Sequence, residues 1–475
     1  MRTAIVNTRL VTLQGDGLGI IDDGVVSFSE GKIDFVGKDR EFNKDNVDRI
    51  IEGENHVTMP GLVNAHTHTG STLLRGGAQD VPEIDWMNKA IGPLAKHLKR
   101  EDLVLGSKLG VIEGLRSGIT AFGEYTSDVG MLIKNVYQPF GVRVAATETI
   151  NEVISKKEKL EPEELYEFDG EKGKNALDKT EKLFKRYRDS ELVEVMYGPQ
   201  ALDMVSEETL NEVKRRAKGK KAKIHMHVAQ GERERLQIQG RYGKETSTVK
   251  VLKHLDMLDE QLLAAHCHDT TDEEKELMTK NDVDMVGCPS SIAMIDGIVP
   301  PVAEFLRSGG TVGLGTDQAP GPGTHNMFRE MRTISILTKT KYRDPTRLPP
   351  WKTLKLGCLG GAEALDIDDK IGSLEVGKAA DIITIDLSKV NLIPSVSDPF
   401  HNFIPNLVYS STGFEVDNVI INGRFVLEDN EFLDIDDKKV IEEAQERGKD
   451  IFKDAAEEWE KCGCYLVDIA RKGLI

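Results

Sequence analysis

Eight short runs rich in apolar and β-branched residues recur between residues 61 and 320, and helix-patterned stretches separate most of them. The runs are GLVNAHTH (61–68), GITAFGEY (118–125), GVRVAATETI (141–150), VEVMYGPQAL (193–202), AKIHMHVAQ (222–230), LLAAHCHD (262–269), VDMVGCPSS (283–291) and TVGLGTDQAP (311–320). Their near-continuous apolar character fits strands buried on both faces, as in a parallel sheet. EETLNEVKRRAK and PPVAEFLRSGG are typical of the segments between them. A strand–helix unit repeated eight times predicts an α/β fold, the (β/α)8 TIM barrel.

The two ends of the chain read differently. Residues 1–58 alternate apolar and polar positions with a period near two, punctuated by Gly and Asp, and the same texture returns at 371–387 and 416–432. The expected organisation is a small composite β-sandwich from 1–58 and 366–432, a metal-dependent barrel over 59–365, and a helical tail over 433–475. The charged stretch 155–190 reads as a solvated loop and exposed helix, with a lid over the barrel mouth as the alternative. Apolar positions in the tail fit docking on the barrel or a subunit contact.

The chain has 475 residues and a net charge of −18, which argues against nucleic-acid backbones and anionic membrane surfaces as partners. No apolar run reaches the ~18 residues of a membrane span, and the first residues lack an apolar h-region. A cytoplasmic location is expected. The five cysteines are scattered, so no disulfide framework is predicted, and Cys462 and Cys464 read as packing or surface thiols.

Six of the eleven histidines form three H-x-H pairs: His66/His68, His225/His227 and His266/His268. Each pair ends a predicted strand, the first, fifth and sixth. Residues i and i+2 of a strand share a face, so both members of a pair can reach one ion. A single such histidine is more often structural. Three pairs on the catalytic rim of one barrel, joined there by Asp317 from GTD at the end of strand eight, point instead to a site. Imidazole and carboxylate suit a divalent ion such as Zn²⁺.

PGLVNAHTH, HMHVAQ, AAHC and GLGTD, in that order and spacing, resemble the amidohydrolase superfamily. LLRG followed by Asp85-Trp86, PSS followed by GIVPP, and GSLEVGKAADIITID are similar to its branch of triazine hydrolases and methylthioadenosine and S-adenosylhomocysteine deaminases. The resemblance covers residues 1–430. It implies His66, His68, His227 and Asp317 as ligands of one divalent metal ion, zinc first, with iron or manganese fitting the same set. Asp317 doubles as base, and His266 contacts the attacking water. No lysine stands in VEVMYGPQAL to bridge a second ion. The implied enzyme is a hydrolase that uses metal-bound hydroxide on a carbon–nitrogen (non-peptide) or carbon–halogen bond of a small nitrogen heterocycle, foremost an aminohydrolase or deaminase. A cyclic amide (lactam) hydrolase is the enzymatic alternative, and a catalytically silent binding protein of the same fold is the alternative of another class. Relatives imply a homo-oligomer.

Two departures from the branch bear on chemistry. Gln230 stands where the deaminases carry a proton-moving glutamate, and an amide is not an acid or base at neutral pH. Glu124, Glu232 and Glu234 are candidates to replace it. Gln200 stands where nucleoside-acting relatives have histidine after the proline. Asp85 is aligned with their ribose-binding glutamate. Arg75, Trp86 and His325 are candidate substrate contacts, set against a barrel salt bridge for Arg75, a core position for Trp86 and, as the favoured reading, a loop hydrogen bond for His325. His225 and His268 match no functional position and read as supporting or packing residues.

Overall fold

The structure is a computed structural model that describes residues 1–81, 85–154, 164–321 and 323–475. Both ends of the chain build one mixed sheet. Its N-terminal strands are β1 (Arg2–Val11), β2 (Ile20–Ser29), β3 (Lys32–Lys38), β4 (Arg49–Glu52) and β5 (His56–Pro60). The barrel strands follow: β6 (Leu62–Thr67), β7 (Ile119–Thr126), β8 (Arg143–Ile150), β9 (Val193–Pro199), β10 (Ile224–Val228), β11 (Leu262–His266), β12 (Asp284–Gly287) and β13 (Val312–Leu314). The chain then returns to the terminal sheet with β14 (Ile382–Asp386), β15 (Val416–Ile421), β16 (Arg424–Glu428) and β17 (Glu431–Phe432).

The expected α/β barrel is present. Strands β6 to β13 pair in sequence order, and every pairing is parallel. The sheet's two ends meet at a single bridge between Thr67 and Asp317. There the Asp317 N–H donates to the His66 carbonyl (3.0 Å) and the His68 N–H donates to the Asp317 carbonyl (3.1 Å). A Cβ at Gly315 would lie 2.6 Å from that His66 carbonyl, so only glycine lets β13 approach β6 this closely. Small side chains such as Ala65, Ala121 and Ala145 fill the barrel interior with Val63, Met196, Leu263 and Val286. The outer faces of the strands meet the helices in one continuous apolar core.

The terminal sheet runs β17-β16-β15-β14-β5-β1-β2-β3, with β4 on the edge of β1. Ile5, Leu10, Val26 and Phe28 of its N-terminal half share a core with Ile382, Ile420 and Phe425 of its C-terminal half. Of the strand-like stretch 371–387, only Ile382–Asp386 is a strand; the residues before it form turns that bond to Gly31, Ile33 and Lys370. The two parts are joined by a buried fork, in which Arg143 of β8 donates to both oxygens of Asp381 (2.8 and 2.9 Å). Removing one partner strands a buried charge, so Arg143→Met should cost about 3–5 kcal/mol in urea unfolding. A loss below about 1 kcal/mol would mean that water reaches the pair.

The charged stretch after β8 holds the helix Gly170–Tyr187, which buries Leu177, Leu183 and Tyr187 against the barrel. It is one of the barrel's outer helices, not a cover of its mouth; residues 155–163 of the lid reading lie outside the described residues. The tail forms the helix Asp437–Cys462 and docks on the chain itself. Ala444, Ile451, Ala455 and Trp459 pack on Leu73, Leu74 and Leu94. Arg447 forks onto Asp102 (2.8 Å to each oxygen), and the Trp459 indole N–H donates to the Ala90 carbonyl (2.9 Å).

Candidate active site

The pleat of β6 turns His66 and His68 to one side, and both stand at the barrel's C-terminal mouth with His227 of β10, His266 of β11 and Asp317 just after β13. Ring centroids of His66 lie 4.9 Å from those of His68 and His227 and 5.4 Å from that of His266. Asp317 Oδ1 is 3.8 Å from His66 Nε2 and 3.4 Å from His68 Nε2. Two overlapping triads, His66–His227–His266 and His66–His68–Asp317, each bring their ligand atoms within 4.8 Å of one another.

Hydrogen bonds around the cluster fix which nitrogen faces inward. His68 Nδ1 bonds the Tyr125 carbonyl (2.5 Å) and His227 Nδ1 bonds the Gln200 carbonyl (2.8 Å), so each must carry its proton there. His66 Nδ1 meets His225 Nε2 at 2.8 Å, and His225 Nδ1 meets Thr147 Oγ1 at 3.2 Å. A proton on His66 Nδ1, donated to His225, leaves the Nε2 lone pair free. His225 is thereby a support for His66, as its lack of a functional match implied. The buried His66 Nε2 and both His266 nitrogens have no hydrogen-bond partner among the described residues. Buried polar atoms are seldom left so. Three inward lone pairs beside a carboxylate fit a divalent cation of the zinc type. Burial first, then repulsion from neighbouring rings, holds the pKa of His66, His225, His227 and His266 well below the usual imidazole value, so all four are neutral.

Asp317 takes a backbone φ of +59°, uncommon for a residue with a Cβ but tolerated by Asp and Asn. Its Oδ2 accepts from the Ser291 hydroxyl at 2.5 Å. Above the cluster lies a cavity of about 320 Å³. Gln200, Gln230, Trp86, His68, His227 and Asp317 line it, together with Arg233, Asp296, Gln318 and apolar side chains. The Trp86 indole N–H is buried with no partner among the described residues. Gln200 is fixed by the Asn151 amide (2.7 Å).

Three candidate substrate contacts lie elsewhere. Arg75 pairs with Glu113 and borders a separate groove beside the tail helix. Asp85 pairs with Lys89 at 2.8 Å, and it is not among the cavity's lining residues. His325 is wholly buried, bonded to Thr67 and Thr316 through Nδ1 and to Thr72 through Nε2. Burial lowers its pKa to about 4, which keeps it neutral. The acids weighed as substitutes for Gln230 also turn away from the cavity. Glu124 accepts from Thr69 and Tyr137, and Glu232 is 63% exposed. Glu234 accepts from the Gln230 N–H (2.7 Å) and from Thr248 (2.6 Å), with burial raising its pKa to about 7. Arg233, Asp296 and Gln318 were not singled out from the sequence; they sit in loops and first helical turns, where no periodicity marks a facing side.

A parallel barrel with a histidine–aspartate cluster under a cavity at its C-terminal mouth defines the class of metal-assisted hydrolases. The profile of the amidohydrolase family matches residues 57–426. The chain is 34% identical over 459 residues to a 5-methylthioadenosine/S-adenosylhomocysteine deaminase of Thermoanaerobacter pseudethanolicus, covering 95% of this chain and 100% of the relative. It is 33% identical over 447 residues to a 5'-deoxyadenosine deaminase of Methanosarcina acetivorans, covering 94% and 98%. A zinc-bound adenosine deaminase from Xanthomonas campestris superposes with a TM-score of 0.85 at 27% identity, covering 95% of this chain and 98% of the other. This chain therefore belongs to the amidohydrolase family. It is a hydrolase of carbon–nitrogen bonds other than peptide bonds, and divalent metal binding belongs to the same reading.

Proposed function

We propose that the chain is a zinc-dependent aminohydrolase that removes an amino, alkylamino or halide substituent from a ring carbon of a small nitrogen heterocycle. The observation that carries this is the convergence of His66, His68, His227 and Asp317 at the floor of one cavity, where nitrogens of His66 and His266 have no partner among the described residues. His66, His68, His227 and Asp317 are the proposed ligands. A divalent ion held there lowers the pKa of a water from about 15.7 toward 7.

The chain's own groups divide the remaining work. Asp317 accepts the water's proton through Oδ1, while Ser291 holds Oδ2 and so fixes the carboxylate plane. His266, neutral and without a competing partner among the described residues, is free to hydrogen-bond the attacking oxygen and to oppose the charge that develops. Trp86 and Gln200 form the walls, and Gln230 donates or accepts a hydrogen bond without transferring a proton. The adenosine-type names of the relatives favour an aminopurine-like ring, while Gln200 and Gln230 depart from the deaminase pattern that the sequence resembles. The test is metal content together with a panel of aminopurines, aminopyrimidines, triazines, pterins and cyclic ureas. About one equivalent of zinc, with ammonia, amine or chloride released from one ring class, is expected. A protein that binds no divalent ion sinks the reading.

A further inference from the structure

The hydrolytic reading leaves one proton transfer without a carrier. Attack on an amino-substituted ring carbon is eased when the neighbouring ring nitrogen is protonated, and the Gln230 amide cannot supply that proton. Among the described residues lining the cavity, the carboxylates are Asp317 and Asp296. Glu124, Glu232 and Glu234 are spent elsewhere or exposed, as described above. Asp296 follows the helix Pro289–Ile295 beyond β12, and its side chain is only 12% exposed. Strands β10, β11 and β12 are neighbours, so Gln230, His268 and Asp296 share one arc of the barrel mouth. The His268 side chain is fully buried on that arc, with Nε2 3.7 Å from Asp296 Oδ2. The main chain of Gln230 lies against the same imidazole. A carboxylate thus faces the cavity beside the position where the amide stands.

We propose that Asp296 is the second acid–base residue of this site and exchanges a proton with the ring nitrogen of the substrate. The inference rests on the aminohydrolase reading. In the addition step the water oxygen bonds to the ring carbon, one water proton passes to Asp317, and Asp296 takes the other and hands it to the ring nitrogen. In the collapse the carbon–nitrogen bond to the substituent breaks, and Asp317 gives its proton to the departing amine. Both carboxylates are then ionised as at the start, leaving a ring carbonyl beside a ring N–H.

The experiment compares zinc-loaded wild type, Asp296→Asn and Asp296→Asn/Gln230→Glu on the amino-substituted ring found by the panel. The single variant should keep its zinc and lose about 100-fold or more in kcat. Returning a carboxylic acid at position 230 should restore at least about tenfold of that loss. An Asp296→Asn variant with wild-type kcat, or with only KM raised, overturns the proposal. So does a double variant that recovers nothing, because the loss then comes from altered pocket geometry. Asp296→Ser, read the same way, covers the case in which the Asn variant does not fold. An inactive, zinc-free wild type would instead sink the hydrolytic reading itself.

Discussion

Asp317→Asn lowers kcat at least about 1,000-fold at saturating zinc, while the protein still folds. The size of the effect follows from how little else the substitution changes. Asparagine tolerates the left-handed φ of +59° that this position requires, which alanine or a β-branched residue would not. Barrel closure depends on the main-chain N–H and carbonyl of residue 317, bonded to His66 and His68, and both survive. The amide oxygen can still accept from Ser291. What disappears is the proton acceptor, and with it one anionic oxygen facing His66 and His68. Zinc affinity should fall as well, so kcat is compared at saturating zinc with metal content measured on the same samples. A folded, zinc-loaded Asn variant retaining a tenth of wild-type turnover would remove Asp317 from proton transfer.

The barrel and the gathering of its histidines were legible for one physical reason, while the choice of which ones would hold an ion came from the family resemblance alone. Strand geometry repeats every two residues, so an H-x-H pair at a strand end declares a shared direction before any tertiary contact is known. The eight apolar runs declared both-face burial in the same way. His66, His68, His227, His266 and Asp317 all lie on or next to such runs. Loops carry no equivalent period. Asp85 is drawn to the substrate by its alignment with the relatives' glutamate, and Arg75 and His325 by chain proximity to the motifs. Their directions were decided by Glu113, Lys89 and three threonines, partners that only the folded chain supplies. Asp296 escaped notice for the converse reason: nothing in PSSIAMIDG shows which residue ends its helix against the cavity. The stretch 371–381 misled through composition, since its alternating apolar residues satisfy turn contacts to the terminal sheet and pair with it only at the single bridge of Ala379 to Lys32.

Stripping the divalent ion should abolish turnover, lower stability, and expose an acid sensitivity that the loaded protein hides until the ion leaves. The ion binds the folded chain, so at a thousandfold excess over its Kd its loss costs about 4 kcal/mol. The emptied cluster is then a set of buried imidazoles. Their folded pKa values lie well below the ordinary 6.5, because burial and neighbouring rings oppose the charge. Below about 6.5 the unfolded chain takes up protons that the folded chain refuses, so stability falls as pH falls; above that value these rings contribute no slope. Each such ring can cost up to about 1.4 kcal/mol per pH unit over that range. Thermal melts of chelator-treated protein should therefore drop steeply between about pH 7 and pH 5, where a stripped protein with solvated histidines would stay nearly level. Zinc-loaded protein should resist until protons displace the ion from its ligands, since only unprotonated imidazoles coordinate. Zinc restores turnover at neutral pH. Calcium and magnesium do not, because their preference for oxygen donors leaves three imidazoles unserved. Melts of the metal-free protein that stay level across this range would mean the rings are solvated or already paired, and the proposed ligand set would fail with them.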